Sequence, residues 1–149
     1  MSDRPRLIVT VGLPGAGKST WLAKHAISAI SSDAIRRLLA DDETDQSINA
    51  RVFAAARYLV RQRLELRRPV TYLDATNLIR RDRRAWIELA RQFNCQPEAL
   101  WFDIPLDVCK TRNRTRQRIV PEHILDLMAA KFIPPSKEEG FDEVVRCPA

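Results

Sequence analysis

The chain has 149 residues, 45% of them hydrophobic, which suits a single domain around one core. Its longest apolar runs are far too short to span a bilayer, and no leader opens it, so a cytoplasmic location without a membrane partner is expected. Net charge is +6, carried by twenty Arg and only five Lys; this suits either a polyanionic partner gripped by guanidinium forks or an arginine-rich set of solvated helix faces.

Leu7 to Val11 is apolar and β-branched and reads as a buried parallel strand. Gly12-Leu13-Pro14-Gly15-Ala16-Gly17-Lys18-Ser19-Thr20 follows and fits G-x-x-x-x-G-K-[ST], the phosphate-binding loop. Ser19 to Lys24 is helix-competent. Strand, loop and helix N-terminus would together offer backbone N–H groups and a positive dipole end to an anion. All nine loop residues are expected to bind ATP, Lys18 through its β- and γ-phosphates. The Ser19 hydroxyl is expected to ligate Mg²⁺. His25 and His123 are isolated, which argues against a histidine-built metal centre.

Ala26 to Ile30 reads as a short second strand, and Ser31-Ser32-Asp33 opens a helix through Leu39. Asp41 to Asp45 is an acidic loop. A long helix is expected from about Asn49 to Arg67, with an apolar stripe from Val52 to Leu64, stopped by Pro69. Val70 to Leu73 is the third strand, ending on Asp74-Ala75-Thr76-Asn77. Asp82 to Phe93 is an amphipathic helix and Ala99 to Phe102 a fourth strand. Pro105 starts a helix running into Arg112–Arg118, and Pro121 starts another to about Lys131. Pro134-Pro135 is a rigid connector, and Phe141 to Val145 is a candidate edge strand. Cys95, Cys109 and Cys147 are odd in number and form no C-x-x-C pair, so they read as reduced packing thiols. Alternating strands and helices predict an α/β protein with the P-loop NTPase fold: residues 1–149 as one domain, a parallel sheet flanked by helices, with an Arg-rich lid.

Four segments fall at the carboxyl edge of expected strands, where an open α/β sheet binds ligands. After the loop comes Ile30-Ser31-Ser32-Asp33-Ala34-Ile35-Arg36. Here Asp33 is placed to accept a hydroxyl proton opposite the γ-phosphate, and Arg36, a turn later, to hold an acceptor phosphate. Ser-Ser-Asp is equally what a helix cap looks like, with Ser32 able to cap while Asp33 does chemistry. Asp74 and Asn77 either face the metal and the acceptor or form a plain strand-end turn. From Thr111 to Arg118 four of eight residues are Arg, and none is acidic. The run suits a lid offsetting charge on a transferring phosphoryl group, or a solvated nucleic-acid patch.

Taken in order, GLPGAGKST, ISSDAIRRLLADDETDQ, YLDATN and CKTRNRTRQRIVP resemble the 5′-hydroxyl polynucleotide kinase module of bacterial polynucleotide kinase-phosphatases, from Leu7 to about Val145. The resemblance implies Asp33 as general base toward the 5′-OH and Arg36 on the phosphate 3′ of the acceptor nucleoside. It implies Arg116 and Arg118 on the donor phosphates, with Arg112 beside the nucleotide. The lid reads Arg116-Gln117-Arg118, one residue shorter than the family's Arg-x-x-basic spacing. No phosphatase or ligase module accompanies the kinase, which implies either a stand-alone enzyme or the partner of separately encoded repair enzymes.

The expected activity is therefore Mg²⁺–ATP-dependent phosphorylation of an RNA or DNA 5′-hydroxyl end. One rival is a sugar or nucleoside kinase of the same fold, which would give Arg36 no phosphate to hold. The other is a non-catalytic ATP-binding accessory protein, which would leave Asp33 unexplained. The chain carries no Asn-Lys-x-Asp guanine signature.

Overall fold

The structure is a computed structural model and describes residues 4–116 and 119–147. Strand β1 (Arg6–Val11) occupies the centre of a five-stranded parallel sheet. On one side lie β3 (Val70–Asp74) and then β2 (Ile30–Ser31). On the other lie β4 (Gln96–Phe102) and then β5 (Glu143–Cys147). Register aligns Leu7 of β1 with Thr71 of β3 and Pro97 of β4, so the three strands end at one edge.

Period-two alternation divides the interior. Leu7, Val9 and Val11 face a core shared with α2 (Ser32–Ala40), α3 (Asn49–Glu65) and α4 (Arg80–Gln92). Ile8 faces a second core against α1 (Lys18–Lys24), α5 (Leu106–Arg114) and α6 (Glu122–Lys131). Of the apolar stripe expected on the long helix, Val52, Ala56, Val60 and Leu64 are buried, whereas Phe53 and Leu59 stand exposed at 39% and 43%. No helix among the described residues is long and apolar enough to cross a membrane. The three cysteines are free, and burial pushes each thiol up from its ordinary value, as fits packing groups.

Several boundaries differ from expectation, and one cause recurs. The second strand is Ile30–Ser31, not Ala26–Ile30, because Ala26 and Ile27 close α1. Ala26 is left-handed (φ 54°), and the N–H groups of Ala26 and Ile27 bond the carbonyls of Ala23 and Leu22. That pair of bonds is a Schellman cap. Arg67 (φ 56°) ends α3 in the same way, before Pro69 is reached, and Asn94 (φ 54°) ends α4. None of these caps uses glycine. β4 begins three residues early, through Pro97, because the Gln96 N–H reaches the Pro5 carbonyl and the Glu98 carboxylate takes a two-point bond from Arg6. α5 stops at Arg114 instead of running through Arg118; Gln117 and Arg118 lie outside the described residues.

Much of the arginine excess holds the fold. Arg83 on α4 is fully buried and makes a two-point ion pair with Glu139 at 2.8 and 3.1 Å. Its remaining nitrogen donates to the carbonyls of Asn77 and Ile133. One side chain thus ties α4 to the turn after β3 and to the segment before β5. Removing one partner of such a pair strands the other charge in the core, at about 3–5 kcal/mol. Arg83→Met should therefore lower the thermal midpoint by roughly 10 °C or more for a chain of this size. Arg83→Met with Glu139→Leu should recover most of that loss, read by calorimetry. A double variant no more stable than the single would show that the stranded charge is not the source.

Candidate active site

The glycine loop is shaped by what crowds it. Gly15 has φ 85°, and a Cβ there would sit 2.6 Å from the Cys109 carbonyl of α5. Gly17 (φ 92°) precedes α1, whose first turn has no side-chain cap, so its N–H groups are left for a ligand. Leu13 and Ala16 are buried in the second core, so only the backbone of those loop residues faces outward chemistry. Pro14, Gly15 and Gly17 to Thr20 line a cleft of about 1460 Å³, whereas Gly12, Leu13 and Ala16 do not line it.

Lys18 is buried and folds back on its own loop, donating to the carbonyls of Gly12 and Leu13 at 2.9 and 2.8 Å. Burial lowers its amine to about 8; the Asp74 carboxylate opposes that shift and the Arg116 guanidinium adds to it. Ser19 Oγ donates to Asp74 Oδ2 at 2.7 Å. Thr10 Oγ1 lies 3.4 Å from the same carboxylate, donates its proton to the Ala75 carbonyl at 2.7 Å and accepts from the Ala75 N–H at 3.1 Å. Asp74 thus meets the loop at Ser19. A hydroxyl and a carboxylate oxygen in contact are hard donors that fit Mg²⁺. Among the described residues no group of three or more His, Cys, Asp or Glu could hold a metal unaided. The pair therefore fits a metal that brings phosphate and water oxygens with it.

Asn77 is left-handed (φ 47°), and its side-chain amide donates to the Thr10 carbonyl at 2.8 Å. That bond fixes the turn, although the residue still lines the cleft. The helix cap is Ser31, not Ser32: its hydroxyl accepts from the Ala34 N–H at 3.2 Å. Ser32 is buried against the Asp74 carbonyl. Asp33 is therefore not the cap, and its carboxylate, 40% exposed, accepts from Arg36 Nη1 at 2.9 Å. Arg36 is 4% exposed; Nη2 donates to Asn49 Oδ1 at 2.8 Å, and Nε is buried without a partner. Nothing in the sequence marks Asn49 for this contact, since a polar residue opening a long helix carries no signal of its own.

The arginine run is less uniform than its sequence implies. Arg114 points away and pairs with Glu122 at 2.7 Å, so the run is partly neutralised by an acid eight residues on. Arg112 reaches the Ala16 carbonyl at 3.4 Å, across the loop. Arg116 lines the cleft with Nη1 buried and unpartnered. Asn113 and Val120 exchange two hydrogen bonds, at 2.6 and 2.9 Å, and so pinch the base of the connecting segment. The structure brings Lys18, Ser19, Asp33, Arg36, Asp74, Arg112 and Arg116 to one cleft; Arg118 lies outside the described residues.

Fold and cleft together define a P-loop nucleotide-binding protein with the P-loop kinase fold. A family model described as an AAA domain matches residues 7–135, and the chain belongs to that family. It is 26% identical over 145 residues to an L-seryl-tRNA(Sec) kinase of Methanococcus maripaludis, covering 91% of this chain and 56% of that protein. It is also 26% identical over 152 residues to a bifunctional polynucleotide phosphatase/kinase of Schizosaccharomyces pombe, covering 99% and 34%. The chain thus spans about half or less of the curated relatives it matches. It overlays a chain of the Pnkp1/Rnl/Hen1 RNA repair complex with TM-score 0.74 at 21% identity, covering 88% of this chain and 45% of that one. A gluconokinase from Sinorhizobium meliloti 1021 overlays with TM-score 0.62 at 18% identity, covering 97% and 83%.

The Lys18 amine carries a test of the loop. A triphosphate beside it favours the charged form, so binding raises an amine that sits at about 8 in the free protein. Above that pH, ATP binding should take up close to one proton, and affinity should fall by up to tenfold per pH unit. Calorimetry at pH 8.5 in buffers of different ionisation enthalpy measures the uptake, which Lys18→Met should abolish. Undiminished uptake in Lys18→Met would place the titrating group elsewhere.

Proposed function

We propose that the protein is a Mg²⁺–ATP-dependent kinase that phosphorylates the 5′-hydroxyl end of RNA or DNA. Arg36 is the observation that carries this reading. A guanidinium held beside Asp33, with a buried donor unused, calls for an anion next to the acceptor hydroxyl. The phosphate on the 3′ side of a terminal nucleoside is such an anion. A plain sugar or nucleoside, as in the small-molecule reading, leaves that donor unmatched. An ATP-binding accessory role leaves the Asp33–Arg36 pair without a purpose.

In this reading the loop N–H groups and Lys18 hold the β- and γ-phosphates, Lys18 exchanging two loop carbonyls for phosphate oxygens. Ser19 and Asp74 would hold Mg²⁺, which would supply positive charge to offset that of the phosphates. Asp33 accepts the proton as the acceptor oxygen bonds to the γ-phosphorus and the bond to the β-phosphate oxygen breaks, releasing ADP. Arg36 keeps that carboxylate oriented while holding the acceptor phosphate. Arg112 and Arg116, with Arg118, would close as a lid and offset charge on the transferring group. A cytoplasmic setting beside separately encoded phosphatase or ligase activities completes the proposal.

Two variants test the acceptor side. Wild-type protein should use a nucleoside 3′-monophosphate roughly ten- to a hundredfold better than the nucleoside, in kcat/KM. Arg36→Ala should erase most of that preference. Asp33→Asn should lower turnover by a factor on the order of 100 or more while ATP affinity holds. Equal use of nucleoside and nucleoside 3′-phosphate by the wild type would move the assignment to a small-molecule kinase.

A further inference from the structure

Asn49, the partner of Arg36, begins a stripe on α3 that continues at spacings of four through Phe53 and Arg57. All three line the cleft, and so does Arg81 from the first turn of α4. By helix rise, Arg57 stands about 12 Å along α3 from Asn49. Most arginines of this chain are tied to carboxylates or carbonyls; Arg57 and Arg81 are exposed, and their side chains form no hydrogen bond or ion pair with any described residue. Phe53 is 39% exposed and lines the cleft, one residue after the fully buried Val52; Tyr58 and Leu59 on the same helix are exposed as well, but neither lines the cleft. Eight basic and three acidic side chains line the whole cleft. Asp82, the acidic neighbour of Arg81, sits in the first turn of α4, where the helix dipole accommodates a carboxylate.

We propose that the groove from Arg36 past Phe53 to Arg57 and Arg81 is a track for the nucleotides following a single-stranded 5′ end. Arg57 and Arg81 form an outer phosphate site, and Phe53 is a platform on which an unpaired base stacks. The inference rests on the polynucleotide reading above and narrows it, since a base held in a duplex cannot lie on Phe53. It also gives the acceptor site a preference for length that one buried arginine cannot supply.

The test is fluorescence anisotropy with a 3′-labelled single-stranded hexanucleotide bearing a 5′-hydroxyl, with nucleoside 3′-monophosphate and a blunt duplex as competitors. The hexanucleotide should bind at least about tenfold tighter than either competitor. Arg57→Ala with Arg81→Ala should remove most of that gain and flatten the dependence of log Kd on log salt by roughly 0.7 per arginine. Lysine at both positions should restore the salt dependence. Phe53→Ala should weaken binding by about 5- to 100-fold with the salt slope unchanged. A hexanucleotide no tighter than the nucleoside phosphate, a duplex that competes equally, or a double variant with wild-type affinity and slope would overturn the track. Phosphorylation of nucleoside 3′-monophosphate without any length gain would overturn the track and keep the kinase. Length-dependent binding without phosphorylation of any 5′-hydroxyl would keep the track and overturn the kinase.

Discussion

Everything in the cleft depends on β1 lying between β3 and β4 with apolar side chains on both faces. A strand covered on both faces has one register that keeps Leu7, Val9 and Val11 in one core and Ile8 in the other. That register sets the ends of three parallel strands at one edge. Thr10 and Asp74 then meet, and through Asp74 the turn after β3 is joined to Ser19 at the foot of the loop. The phosphate-loop half of the cleft is therefore a consequence of sheet packing, with side-chain hydrogen bonds fixing the last few ångströms.

The half around Asp33 and Arg36 is built differently. Asp33 and Arg36 come from one helical turn, so their pairing is local. What makes the pair a site is burial. α3 packs against α2 and brings Asn49 onto the far nitrogen of Arg36, which leaves Nε enclosed and unmatched. The two halves carry electrostatic strain of the same sign. Lys18 sits where burial disfavours its charge, while the unmatched donors of Arg36 and Arg116 favour an incoming anion. A ligand rich in phosphate relieves both at once.

The arginine excess has two uses that composition cannot separate. Arg83, Arg6, Arg63 and Arg91 hold strands, turns and the C-terminal segment together through carboxylates and carbonyls. Arg36, Arg57, Arg81, Arg112 and Arg116 line the cleft instead. A guanidinium serves both purposes because it donates in several fixed directions and stays charged when buried. Replacing Arg by Lys would keep the net charge and lose the two-point geometry on which Arg83 and Arg6 rely.

The sequence alone determined the phosphate loop, the alternating strand and helix order, the parallel sheet and the one-turn spacing of Asp33 and Arg36. Each is a short-range pattern whose physics acts within a few residues. Helix ends were legible only in part. Three of the four glycines lie in the loop, so α1 and α3 close on Ala26 and Arg67, which do not announce a left-handed cap; Asn94 after α4 is the one cap residue of the three that does. The tertiary structure alone decided that Asp74 faces Ser19, that Asn77 braces β1, that Arg114 turns away to Glu122, and that Asn49, Phe53, Arg57 and Arg81 share the cleft. These are contacts between segments far apart in the chain. They follow from which face each helix buries against the sheet, and that is settled by packing the whole core at once.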